Sequence, residues 1–187
     1  TREDFAAYCN EIRRLDYYVG EVVRELESQN ALSNTVIIFL ADNGRPFPRA
    51  KTRLIDDGMK TPLLMCGPGI EPKTSTKSLV SSIDIAPTIL ELAGLDKPKS
   101  FQGKSFAPIL SNPNAKIREC AFSEHNWHDY QAYGRSVRKG EYLYIINKFP
   151  DKAWIGPGDS VSSPSHQQLR KAMLSGKELT PGQSDIF

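Results

Sequence analysis

Residues 35–41, Thr-Val-Ile-Ile-Phe-Leu-Ala, form one unbroken apolar run rich in β-branched side chains, bounded by Ser-Asn before it and Asp-Asn-Gly after it. A run this short and this continuous predicts a strand buried on both faces, as in a parallel sheet. The segment before it fixes the layer that would cover such a strand. Tyr8, Ile12, Leu15, Val19, Val22 and Leu26 recur every three or four residues, which predicts a helix over 3–29 with one apolar face. A helix followed by a buried strand implies an α/β layered domain.

The remaining segments extend this pattern. Residues 61–67 predict a second buried strand, closed by Gly67-Pro68-Gly69. Residues 78–94 predict a strand end and then a helix, with Asp84 as N-cap, Pro87 in the first turn and Gly94 at the C-terminus. Loop-forming residues up to about 112–116 mark a subdomain boundary, so the expected division is 1–112 and 113–187. Beyond it, a strand starts at Glu119, and two more flank a Lys139-Gly140 turn. Residues 163–176 predict a short helix capped by Ser163 or Ser165 and stopped by Gly176. The tail after it has no pattern. The aromatic residues of 141–149 are expected in the core, and His166 on the surface.

Charge narrows the function classes. Lys and Arg total 24 against 22 Asp and Glu, a net charge of +2, which argues against a nucleic-acid protein driven by bulk charge. No apolar run approaches the roughly 18 residues that span a bilayer. Cys9, Cys66 and Cys120 are scattered and odd in number, which signals neither a zinc site nor a redox dithiol. The chain opens on Thr1 without a leader-like stretch, which predicts that its translational start lies upstream.

Chemistry concentrates where the first strand ends. Ligands in open α/β sheets bind beyond the carboxyl ends of strands. Asp42 and Asn43 stand there and offer the oxygen donors that hard cations take. Taken alone, Asp-Asn-Gly is also a common turn. The continuation shifts the balance: Lys51, Leu54, the acidic pair Asp56-Asp57, Gly58, Lys60 and Pro62-Leu63 follow in order. This succession resembles the sulfatase family. Residues 13–39 are similar to the helix and strand that precede the motif in that family, and residues 78–110 to the segment that follows it. Pro46-Phe47-Pro48 and the stretch 121–150 are similar to its sulfamidase branch, the N-sulfoglucosamine sulfohydrolases.

The resemblance implies the C-terminal portion of an alkaline-phosphatase-like α/β sandwich plus a small antiparallel-sheet subdomain. It implies Asp42 and Asn43 as ligands of a divalent cation, usually Ca²⁺. It places Lys51 on the sulfate, where the sulfamidase branch often carries arginine; lysine gives up the bidentate fork. His128 is the expected proton donor to the leaving group, and Asp129 would orient it or bind a sugar hydroxyl. His125 is a competing substrate contact whose bland reading is a structural histidine. Asp56 and Asp57 are expected to serve structure. Implied partners are a sulfated, glycosaminoglycan-type sugar and the N-terminal part of the same protein, in the periplasm, lysosome or extracellular space.

The family nucleophile, a formylglycine made within Cys/Ser-x-Pro-x-Arg, has no counterpart among these 187 residues. The chain also lacks the family's N-terminal aspartates and its usual final acidic-Leu-Tyr-Asp segment. The expectation is a sulfatase fragment that is inactive alone. Two alternatives remain: a phosphodiesterase or phosphonate hydrolase of the same superfamily, and a non-catalytic module that binds anionic glycans or a partner chain through the basic loop 45–53.

Overall fold

The structure, a computed structural model, describes residues 1–151 and 156–184. Helix α1 (Arg2–Ser28) is followed by strand β1 (Ile37–Leu40), a short helix α2 (Asp56–Met59) and strand β2 (Leu63–Cys66). Helices α3 (Ile85–Leu92) and α4 (Ala107–Ser111) lead to a three-stranded sheet, β3 (Cys120–Trp127), β4 (Gln131–Lys139) and β5 (Tyr142–Asn147). Helices α5 (Gly158–Val161), α6 (Pro164–Leu174) and α7 (Pro181–Ser184) complete the order; the last places a helical turn in the tail that carried no pattern. Residues 185–187 of that tail lie outside the described residues.

The first strand forms where its apolar run predicts, but in a different pairing. β1 and β2 are antiparallel, with Ile37 opposite Cys66 and Leu40 opposite Leu63. Neither strand is fully buried, and Leu64 is 61% exposed. An unbroken apolar run reports burial potential and carries no direction, so it does not distinguish the two pairings. The amphipathic helix α1 likewise forms, yet no residue along it is buried. One patch that anchors it is aromatic: Phe5 and Tyr8 gather on Phe47, with Tyr8 edge-on at 5.3 Å.

The most tightly packed region lies around α3. Asp84 is fully buried and pairs with Arg118, whose Nε lies 2.8 Å from Oδ2. Its carboxylate also accepts N–H bonds from Ser81 and Lys104, both at 2.8 Å. Asp84 stands at the N-cap position of α3 as expected, but its side chain caps the turn before α3 and makes no cap bond to α3 itself. Pro87 and Gly94 stand as expected, the latter left-handed at φ 70°. Thr88 Oγ1 donates to the Asp84 carbonyl and accepts from the Phe106 N–H, which joins α3 to the buried Phe106 and Ile109.

The three-stranded antiparallel sheet stands against the loop that follows β1. Gly134, Ser136 and Arg138 of β4 share the inward face, since side chains alternate along a strand. Gly134 lies over Leu54, Ser136 Oγ is 3.5 Å from Met59 Sδ, and Arg138 is bonded to Asp56. The opposite face is open: Phe122, Tyr142 and Tyr144 are 69%, 85% and 64% exposed. This overturns the core placement expected for the β5 aromatics, because the covering layer that alternation requires is absent among the described residues. His166 moves the other way. It is buried, because Ser165 beside it bonds to Asp4 and draws the start of α6 onto α1.

Candidate active site

Two glycines build the loop that presents Asp42, Asn43 and Lys51. The Gly44 N–H donates to the Gly58 carbonyl at 3.0 Å. A Cβ on Gly44 would lie 2.1 Å from the Asp57 carbonyl oxygen, and one on Gly58 the same distance from that of Arg53. Only glycine permits this approach, so Asp-Asn-Gly and Asp-Asp-Gly are two halves of one fold-back. Arg45 closes the crossing with an ion pair to Asp57 at 3.2 Å. Asp56 and Asp57 are thereby engaged with arginines.

Beyond the crossing the loop tightens around Lys51. Its N–H donates to the Arg45 carbonyl at 3.2 Å. Arg49 and Thr52, on either side, both have φ of 67°, a region that non-glycine residues enter at a cost. Buried Ala50 and Leu54 hold the strained segment from within.

Asp42 and Asn43 lie at the end of β1. The Asp42 Oδ1 accepts the Asn43 N–H at 2.9 Å, and the Asn43 side-chain NH₂ donates to the Gly44 carbonyl at 2.7 Å. That second bond assigns the amide nitrogen and leaves the side-chain oxygen as the atom a cation would take. The donor chemistry fits a hard cation such as Ca²⁺, but two side chains are fewer than its usual six to eight ligands. Among the described residues no cluster of three or more acidic, histidine or cysteine side chains completes a shell.

His128 and Asp129 occupy the β3–β4 turn, just after a bulge that shifts the register between His125 and Trp127. His128 Nδ1 is 3.4 Å from Asp129 Oδ2. The same carboxylate oxygen accepts the Gly158 N–H at the start of α5. The next residue on α5, Asp159, reaches Lys51: its Oδ2 is 2.6 Å from Nζ. The hydrogen bond from Lys51 holds the Asp159 carboxyl below the ordinary carboxylate value against a smaller opposing effect of burial, with the charges of Lys51 and His128 adding to it. His125, opposite Gly134 on β3, is half-buried, and desolvation followed by the His128 charge holds its imidazole below the usual value. It faces the site as a neutral ring at neutral pH.

The structure therefore brings Lys51, His128 and Asp129 together around α5, with His125 at their edge. Asp42 and Asn43 remain at the strand end, on the same loop as Lys51. Asp159 was not among the residues singled out from sequence. Gly156-Pro157-Gly158-Asp159 reads as turn punctuation, and an aspartate inside it is indistinguishable from a turn former.

The scaffold and the order of these elements are those of sulfatases. The chain belongs to the sulfatase family, whose sequence pattern matches residues 1–95. A second match, described as N-sulphoglucosamine sulphohydrolase, C-terminal, covers residues 50–148. Over 179 residues the chain is 32% identical to an ulvan-active sulfatase of Formosa agariphila, covering 94% of this chain and 30% of that protein. It is 38% identical over 130 residues to the N-acetylglucosamine-6-sulfatase of Bos taurus, covering 66% of this chain and 22% of that one. The solved structure of a 2-O GAG sulfatase superposes with a TM-score of 0.62 at 25% identity, over 87% of this chain and 40% of that one. The chain thus spans less than a third of the length of these curated relatives.

Proposed function

We propose that the chain forms the part of a sulfatase active site that grips the sulfate and protonates the leaving group, within a longer protein that removes sulfate from a sugar. The observation behind this reading is the meeting of Lys51, His128 and Asp129 around α5 in a chain of this family. Lys51 would direct N–H donors at the sulfuryl oxygens, where charge accumulates as the bond to sulfur breaks. His128, oriented by Asp129, would give its proton to the departing oxygen or nitrogen. His125 would contact the sugar as a neutral donor or acceptor. Asp42 and Asn43 would hold part of a Ca²⁺ shell, and the bound cation would neutralise charge on the sulfuryl oxygens.

The remaining metal ligands and a formylglycine nucleophile would come from the N-terminal part of the same protein. The match to N-sulphoglucosamine sulphohydrolase supports a glycosaminoglycan-type sugar carrying N- or O-sulfate. Such a substrate would be met in the periplasm, in the lysosome or outside the cell. No helix among the described residues is long and apolar enough to cross a membrane.

The test is sulfate release by the longer protein from glucosamine 6-sulfate and N-sulfoglucosamine. Lys51→Ala is expected to lower kcat/KM by about 10²–10³-fold, the usual loss on removing one oxyanion donor. Faster turnover of the matching phosphate ester would transfer the assignment to phosphoester hydrolysis. An unchanged rate in Lys51→Ala would remove Lys51 from the site.

A further inference from the structure

Lys51 carries a long, rotamer-rich side chain, and a useful anion clamp must be held in place before the anion arrives. The backbone around it is held by the strained pair Arg49 and Thr52, but backbone restraint does not fix an ammonium four carbons away. What fixes it is a residue 108 positions later. Asp159 Oδ2 lies 2.6 Å from Nζ, and Asp159 Oδ1 accepts the Ser160 N–H at 2.8 Å, so both carboxylate oxygens are committed. Ser160 itself is only 2% exposed, which ties this turn to the body of the protein. The Gly158 N–H one step earlier is bonded to Asp129, and Asp129 faces His128.

We propose that Asp159 is a positioning residue, holding the Lys51 ammonium at the sulfate end of the site and, through the Gly158–Asp129 contact, setting Lys51 and His128 at a fixed separation. This rests on the sulfatase reading above. The chemistry is compatible with sulfate binding, because an ammonium has three donors and one bond to Asp159 leaves two for sulfuryl oxygens. The Asp159 side chain is 48% exposed, and half-exposed ion pairs contribute little to stability. A long-range contact that stabilises weakly yet fixes a functional cation has its consequence in geometry.

The experiment is a double-mutant cycle in the longer protein, read with glucosamine 6-sulfate and with 4-methylumbelliferyl sulfate. Asp159→Asn is expected to lower kcat/KM by about 10–100-fold, the scale of a misplaced catalytic group. Asp159→Glu should recover part of it, and the thermal midpoint should stay within a few degrees. In a Lys51→Ala background, Asp159→Asn should change the rate by less than about twofold, because the residue acts through Lys51. Additive losses, or a full-rate Asp159→Asn enzyme, overturn the role. If Asp159→Asn fails to fold, the same cycle with Asp159→Ser decides it by the same criterion. A wild-type protein that releases no sulfate from either substrate or from N-sulfoglucosamine overturns the underlying sulfatase reading, and this role with it.

Discussion

At the scale of single residues, histidines give this protein an acid-sensitive side. His125 and His166 are both held below the usual imidazole value of 6.5, each first by burial, then by the charge of His128 in one case and Arg170 in the other. The unfolded chain takes up these protons near 6.5, whereas the folded chain resists until lower pH. The stability that neutral rings contribute is thus complete above about 6.5 and is lost as pH falls through the folded values. The thermal midpoint, followed by circular dichroism, should drop between pH 7.5 and 5.5, and His166→Gln should make that slope shallower. An unchanged slope would mean that His166 does not titrate with unfolding. The buried state of His166 was not legible from its place at a helix start, because the Ser165–Asp4 contact that buries it joins residues 161 positions apart. Asp42, Asn43, Lys51 and His128 were legible as candidates because each falls at a position of the motif succession that resembles the sulfatase family. Asp159 was not, because its meaning depends on a lysine 108 positions earlier.

At the scale of elements, periodicity located α1, α3, α6 and the hairpin, missed the short helices α2, α4, α5 and α7, and said little about what covers any of them. α1 runs over Arg2–Ser28 against an expected 3–29, and β4 and β5 turn at Gly140 as expected, with φ of 55°. The pairing of β1 with β2 was illegible because strand direction is set by the intervening fold-back rather than by the apolar run. That fold-back depends on two glycines, which makes it testable. Gly58→Ala would drive a Cβ against the Arg53 and Ala50 carbonyl oxygens, at 2.1 and 2.5 Å. Backbone must shift, and the expected cost is about 1–3 kcal/mol, a fall of roughly 2–12 °C in thermal midpoint. Gly20→Ala on α1 is the contrasting case, since its nearest neighbour is the flexible tip of Arg24 at 3.6 Å. Replacing a mid-helix glycine there should stabilise by about 0.5–1 kcal/mol. Equal effects of the two substitutions would show that the Gly44–Gly58 crossing is looser than described.

At the scale of the whole molecule, exposed surface is the telling quantity. A compact monomer of this size exposes about 9,000 Å², whereas this chain exposes 13382 Å². The excess, on the order of 4,000 Å², is more than the roughly 1,000–2,500 Å² that one partner commonly contributes to an obligate interface. It contains the apolar faces that the sequence pattern predicted to be covered, Ile12, Leu15 and Val22 of α1, Leu64 of β2, and Tyr142 and Tyr144 of the sheet, and Phe122 beside them. Sequence patterning was therefore informative about which faces want cover and uninformative about the cover itself. The sulfatase reading assigns that cover to further sequence of the same protein, and residues 1–187 expressed alone provide the test. That piece should bind a hydrophobic dye such as ANS strongly, self-associate at micromolar concentration and melt broadly. Its release of sulfate should be undetectable, since no Cys/Ser-x-Pro-x-Arg nucleophile motif lies within it. The longer protein should lose the dye signal and melt sharply. A dye-silent, monomeric, sharply melting 187-residue piece would show that these faces are stable in water, and the need for a covering segment would disappear.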